Sequence, residues 1–259
     1  MTRAPPSPAW KLEAAIRAPL DRAVLLPDTR VVEREGWFQI LTPSAPRGML
    51  NEVALSVIDE RDSEHVIDEV VAGYHAIGQP ARWSIGPWTR PLDLGERLER
   101  RGFEHWEMRG MGASAALDVA PGGVDVDEVT HATLDTFLDV SARGWDADAT
   151  PPTWRAVHVA LLEASPRVAH MFLASIDGEP IGTATLVMRE GYGYLMGAQV
   201  LEVARGRGAY KAMLAARLAC VREVGFDYAV TQAREATSAP ILERLGFETL
   251  FRGRCYRLG

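Results

Sequence analysis

One seven-residue segment occurs twice in this chain. Leu98-Glu99-Arg100-Arg101-Gly102-Phe103-Glu104 and Leu242-Glu243-Arg244-Leu245-Gly246-Phe247-Glu248 agree at six of seven positions, at an offset of 144. Each reads as the end of a helix. Gly takes the left-handed conformation cheaply, and the Phe after it packs back on the last turn. Taken alone this is a common helix stop, but the register extends upstream. Arg82-Trp83-Ser84-Ile85 falls opposite Phe226-Asp227-Tyr228-Ala229. A helical stripe of Val66, Val70, Tyr74 and Ile77 falls opposite Tyr210, Leu214, Leu218 and Val221. Strand–loop–helix–strand–helix–strand is thus spelled twice in one order. That predicts two tandem α/β units; the period is too long and the copies too few for a solenoid.

The 259 residues are enough for two cores. The small residues from Ala113 to Ala116 and the run Pro121-Gly122-Gly123 mark a boundary. The expected division is an N-terminal arm over 1–20, with at most a short helix from Trp10 to Arg17. A first domain over 21–112, a linker over 113–123 and a second domain over 124–259 follow. The net charge of -7 is spread evenly, -4 over 1–120 (14 basic, 18 acidic) and -3 over 121–259 (14 basic, 17 acidic). Without a basic domain, nucleic-acid binding is not expected. No run of about 18 apolar residues predicts a membrane span. Met1 to Pro8 has no apolar h-region behind its basic residue. Cys220 and Cys255 cannot form a disulfide framework. A cytoplasmic protein is the resulting expectation. The six histidines show no ligand spacing, so no metal site is expected, and there is no Gly-x-Ser-x-Gly elbow.

In the second copy, Val124–Val129 reads as a strand. Helices follow around Leu134–Leu138 and Trp154–Leu162, then a hairpin about Asp177-Gly178 and a strand from Tyr194 to Val200. Asp227–Gln232, a short helix over Ala239–Leu245, and two strand segments, Thr249–Phe251 and Cys255–Leu258, complete it. The informative piece is Arg205-Gly206-Arg207-Gly208-Ala209-Tyr210-Lys211, between a strand and an amphipathic helix. Glycines there allow close backbone approach, and the amides of the helix start favour an anion. Arg205, Arg207 and Lys211 add positive charge, and a pyrophosphate is the natural occupant. A dinucleotide fingerprint would need Gly or Ala where Lys211 stands, and a Walker loop would need Gly-Lys-Ser/Thr. An ordinary glycine turn with solvated arginines is the plain alternative for the loop alone.

The order of hairpin, strand, Arg-x-x-Gly loop, long helix, strand and short helix ending in Leu-Gly-Phe resembles the GCN5-related N-acetyltransferases, the GNAT family. The resemblance covers 124–259 well and the first copy more weakly. It implies a tandem α/β fold, each domain a mixed, mostly antiparallel twisted sheet flanked by helices. It also implies transfer of an acetyl group from acetyl-CoA to an amine by direct attack in a ternary complex. The alternatives are a non-catalytic acyl-CoA-binding module or a transferase using a longer acyl-CoA. The family's pyrophosphate motif falls on Arg205, Gly206, Arg207, Gly208, Ala209 and Tyr210, with Tyr210 departing from the usual Gly or Ala. The strand before the loop would offer backbone near Ala198, Gln199 and Val200 to the pantetheine arm, and Ser238 would lie near the cofactor. The family's Tyr, which protonates the leaving thiolate, is replaced by Leu242.

A thiolate of pKa ~8.5 leaves tolerably without full protonation, whereas an amine of pKa ~10.4 must lose a proton before attack. Base candidates are therefore Glu235 and Glu202, with Tyr194 lining the acceptor site. Each is more commonly a solvated or structural group. Tyr256 and Tyr210 are conceivable substitute acids, and Trp145, Asp146 and Asp148 could hold an amine. The acceptor is a small-molecule or peptide amine, and the oligomeric state is not readable. In the first copy, Arg61-Asp62-Ser63-Glu64-His65-Val66 stands where the glycine loop should be. Its acids would repel a diphosphate, so this copy is expected to be degenerate and to leave one active site per chain.

Overall fold

The computed structural model describes residues 6–20, 25–45, 50–145 and 150–259. In chain order the first elements are α1 (Pro8–Arg17), β1 (Arg30–Arg34), β2 (Trp37–Leu41), β3 (Glu52–Ser56), α2 (Ser63–Ala76), β4 (Ala81–Ile85), α3 (Leu94–Arg100) and β5 (Glu104–Ser114). Then come β6 (Asp125–Glu128), α4 (Leu134–Gly144), α5 (Pro152–Glu163), β7 (Ala169–Ile176), β8 (Glu179–Arg189) and β9 (Tyr192–Val200). The chain ends with α6 (Ala209–Glu223), β10 (Tyr228–Arg234), α7 (Ser238–Arg244) and β11 (Glu248–Leu258). The architecture is mixed α/β, with mostly antiparallel sheet flanked by helices.

Two compact units result, and neither is continuous in sequence. The N-terminal unit comprises Leu25–Gly110, Ala233–Ile241 and Phe251–Gly259; the C-terminal unit comprises Met1–Val24, Met111–Gln232 and Leu242–Leu250. One break, after Gly110, falls within β5. Arg254–Leu258 pairs antiparallel with Ile85–Ala81, which draws the end of the chain into the N-terminal unit. β11 is also one strand through Gly253 rather than two segments.

Each unit combines antiparallel strand pairs with a parallel one. In the N-terminal unit β1–β2, β2–β3 and β4–β11 are antiparallel, and β3–β4 is parallel. In the C-terminal unit β6–β7, β7–β8 and β8–β9 are antiparallel, and β9–β10 is parallel. The β7–β8 turn has positive φ at both Asp177 (52°) and Gly178 (80°), the conformation of a tight hairpin. The N-terminal core gathers Trp37, Ile67, Tyr74, Trp83, Leu98 and Tyr256. The C-terminal unit has a cluster under α4 and α5 around Phe137, Leu161 and Met171, and another under α6 around Ala184, Ala209 and Met213. Trp83 is therefore core. Trp88 packs edge-on to Phe251, and Arg82 and Arg234 stack on Trp106.

The N-terminal helix docks on the C-terminal unit. Ser7 caps α1 by accepting the Trp10 amide, and Trp10 packs edge-on to Tyr192 and Tyr228. Lys11 lies over the Tyr228 ring and pairs with Glu248 at 2.6 Å, and the Tyr228 hydroxyl donates to the same carboxylate. The Lys11 hydrogen bond holds the Glu248 carboxyl below its ordinary value of 4.5. A depressed carboxylate contributes stability above its unfolded pKa and loses it as pH falls through the lower folded value. Trp10 fluorescence should therefore change as pH falls below about 4.5. Glu248→Gln should remove that step, and an unchanged acid profile in the variant would show that the pair does not anchor the helix.

Candidate functional site

The site is built on β8, β9, β10 and α6. β9 pairs with β8 along its length, but its ladder with β10 covers two residue pairs, Gly193–Ala229 and Tyr194–Val230. The Thr231 hydroxyl then donates to the Leu195 carbonyl at 2.7 Å, and the registered pairing ends. Against β8, Gln199 pairs with Thr183 and Met196 with Thr185, so two residues of β9, Gly197 and Ala198, oppose one of β8. This is a bulge, and Gly197 takes its positive φ of 61°. The extra residue reverses the alternation of the strand. Tyr194 and Met196 pack toward α4 and α5, whereas Ala198 and Val200 pack toward α6.

After β9 the chain makes a short 3-10 turn over Glu202–Ala204 and enters the glycine segment. Gly206 and Gly208 have φ of 81° and 94°, in the region that L side chains avoid. A Cβ at either would meet no atom within 4 Å, so both open onto free space. Gly208 caps α6 with no side-chain hydrogen bond, and the first turn holds no acid. The first hydrogen bond across the helix start runs from the Ala212 amide to the Gly208 carbonyl. The amides before it face outward with the positive end of the helix dipole behind them. Arg205, Arg207 and Lys211 are exposed around this opening, while Ala209 is buried and anchors the helix to the sheet. The Arg205 amide is used within the turn, donating to Glu202, so the cradle begins at Gly206.

The other expected residues fall as follows. Tyr210 is half-buried and close enough to Arg217 for their charges to interact. Gln199 donates its side-chain amide to the Val140 carbonyl and the Thr183 hydroxyl, tying α4 to the strands. Glu202 is exposed on the loop, at the glycine end of β9 and away from the bulge. Glu235 belongs to the N-terminal unit, where Arg109 grips its carboxylate through Nε at 2.5 Å and through Nη2, and Arg252 adds a contact at 2.8 Å. The Arg109 hydrogen bonds, with Arg252 assisting, hold that carboxyl below the usual range. A clamped carboxylate is a weak proton acceptor. The Ser238 hydroxyl accepts the Arg234 amide. Leu242 is 1% exposed and Tyr256 fully buried, donating to Glu99, so both are core. Trp145 closes α4, whereas Asp146 and Asp148 lie outside the described residues. Sequence reasoning missed Thr231 and Arg217. The second had a visible signal, a charge in the apolar stripe of α6.

The equivalent place in the N-terminal unit is filled. α2 starts with Asp62 and carries Glu64 in its first turn. Arg97 of α3 binds Ser63 and Glu64, and Arg101 just after that helix binds Glu64 and Asp68. The β3–β4 ladder is a single pair, Val53–Trp83. Beyond it the chain bridges the β3 edge with its own backbone. The Arg90 amide donates to Ser56 and the Ile58 amide to Arg90, each at 3.1 Å, forming a parallel bridge between Val57 and Arg90.

Residues 140–247 match the family model described as the acetyltransferase (GNAT) family. That segment of the chain is similar to a GNAT domain. Solved structures agree in fold over nearly its whole length. A GCN5-related N-acetyltransferase from Kribbella flavida matches with a TM-score of 0.62 at 17% identity, covering 96% of this chain and 93% of that one. A functionally unknown conserved protein from Staphylococcus epidermidis matches with 0.65 at 14% identity, covering 90% and 95%. A tandem GNAT protein from the clavulanic acid biosynthesis pathway matches with 0.55 at 13% identity, covering 99% and 89%. The last supports a two-domain fold here. No curated protein matches the sequence. Among the described residues no helix is long and apolar enough to cross a membrane, and no cluster of side chains could hold a metal ion.

Proposed function

We propose that the C-terminal unit is an N-acetyltransferase site that takes acetyl-CoA and an amine. The observation that carries this reading is the open glycine cradle at Gly206–Gly208, set at the end of a strand that has parted from its neighbour. The outward amides and Arg205, Arg207 and Lys211 suit the diphosphate of coenzyme A. The edge of β9 at Ala198, Gln199 and Val200, past the last β9–β10 pair, suits the amide-bearing pantetheine arm. Its thioester then lies near the bulge, where strand amides polarise the carbonyl. Tyr194, on the α4–α5 side of β9 just before the bulge, lines the acceptor side. The amine attacks the thioester directly, with both substrates bound. The compartment this suits is the cytoplasm.

One site per chain is expected, because carboxylates close the α2 helix start and the Arg90 backbone consumes the β3 edge. Titration calorimetry with acetyl-CoA should return a single site per chain; two sites or none would refute the reading. A second reading, an acyl-CoA-binding module without turnover, is favoured by Leu242 being core and Glu235 being clamped. It predicts the same titration but no product across a panel of amines.

A further inference from the structure

α6 carries an arginine where its pattern calls for an apolar residue. Arg217 sits between Met213 and Val221 on the sheet-facing stripe and is 1% exposed. Its Nε donates to the Met213 carbonyl at 3.1 Å and its Nη1 to the Thr185 carbonyl at 3.4 Å. Among the described residues no carboxylate reaches it. The titratable group facing it is Tyr210, two turns earlier on α6, whose phenol burial keeps neutral. β8 presents the Thr185 backbone carbonyl to it. Burial lowers the guanidinium to about 10, so it stays protonated at neutral pH. A buried cation without a counter-charge is strongly unfavourable, and the fold tolerates it at one level of the sheet. Thr185 is the partner of Met196 beside the bulge. The carbonyl contact therefore sets the charge at the level of the β9 bulge, the level at which the acetyltransferase reading above places the thioester.

The geometry points to Arg217 as a positioning residue for the leaving group, a buried positive charge that favours the departing thiolate of coenzyme A. This rests on the acetyltransferase reading. In the transfer, the amine nitrogen adds to the thioester carbon and a carbon–nitrogen bond forms. The carbon–sulfur bond then breaks with its electron pair going to sulfur, and the ammonium proton passes to water. Leu242 offers sulfur no proton, so sulfur departs charged. Arg217 holds Thr185 beside the bulge and lowers the energy of that charge without touching the sulfur.

The test needs no acceptor. The thiol of coenzyme A bound to the full chain is titrated by the ultraviolet absorbance of its thiolate, with calorimetry confirming binding. In the wild type the bound thiol should ionise about one pH unit below free coenzyme A, a tenfold gain in thiolate. Arg217→Lys should keep most of that shift. Arg217→Met should lose it while binding coenzyme A within about threefold of wild type, since the cradle is untouched. A wild-type midpoint equal to that of free coenzyme A overturns the proposal whatever the variants do. So do equal midpoints in wild type and Arg217→Met. Should the Met variant fail to fold, Arg217→Gln takes its place. Absence of coenzyme A binding by the wild type sinks the transferase reading itself, and calorimetry separates that failure from the others.

Discussion

Gly208→Glu should bind coenzyme A at least about 100-fold more weakly than wild type. Two effects add. Position 208 has φ of 94°, where an L side chain costs about 1–2 kcal/mol, so the variant pulls the turn away from its cradle shape. The new carboxylate also stands at the start of α6, among the amides and beside the site of the diphosphate, and like charges repel there. Steric overlap with the protein contributes nothing, since a Cβ at 208 meets no atom within 4 Å. Gly208→Ala separates the two effects. It keeps the strain without the charge and should lose only about tenfold. Ser63→Ala, at the start of α2, should leave the affinity unchanged, because the acids and arginines around Ser63 already close that helix start. Titration calorimetry reads all three. A loss below tenfold for Gly208→Glu would place the diphosphate elsewhere.

The glycine cradle was legible because its chemistry is local. Two glycines, no acid in the first turn and three basic residues within seven positions define it. The twin helix stops were legible for the same reason. Long-range placement was not. Nothing near Phe251–Gly259 says that its partner is β4. Glu235 reads as a free carboxylate until the fold brings Arg109, 126 residues away, against it. The expectation of a degenerate first copy rests on Asp62 and Glu64, which are local in the same way. The use of its strand edge by Arg90 depends on how residues 86–91 loop back, and no local spacing encodes that. Arg217 was the readable residue that went unread: a charge at i+4 from Met213 and i-4 from Val221 announces itself as buried.

Leu98→Ala and Leu242→Ala should each destabilise their unit by about 2–5 kcal/mol, the usual range for deleting a buried leucine side chain. The two positions are physically equivalent. Leu98 is 0% and Leu242 1% exposed. Each carbonyl accepts the amide of the Phe five residues on, at 3.2 Å for Phe103 and 3.0 Å for Phe247. Gly102 and Gly246 make the turn with φ of 83° and 101°, and their amides bond back to Glu99 and Glu243. The leucine, the glycine and the phenylalanine thus lock one helix end onto one core, twice. Urea unfolding should show both losses, and a loss under about 1 kcal/mol at either would show that its helix stop is not part of a packed core. Leu242→Ala also decides what kind of residue occupies the position of the family's acid. A core leucine changes stability and leaves the coenzyme A affinity of the folded fraction untouched. A leucine lining the groove would change that affinity directly, and the loss would persist after correction for the unfolded fraction.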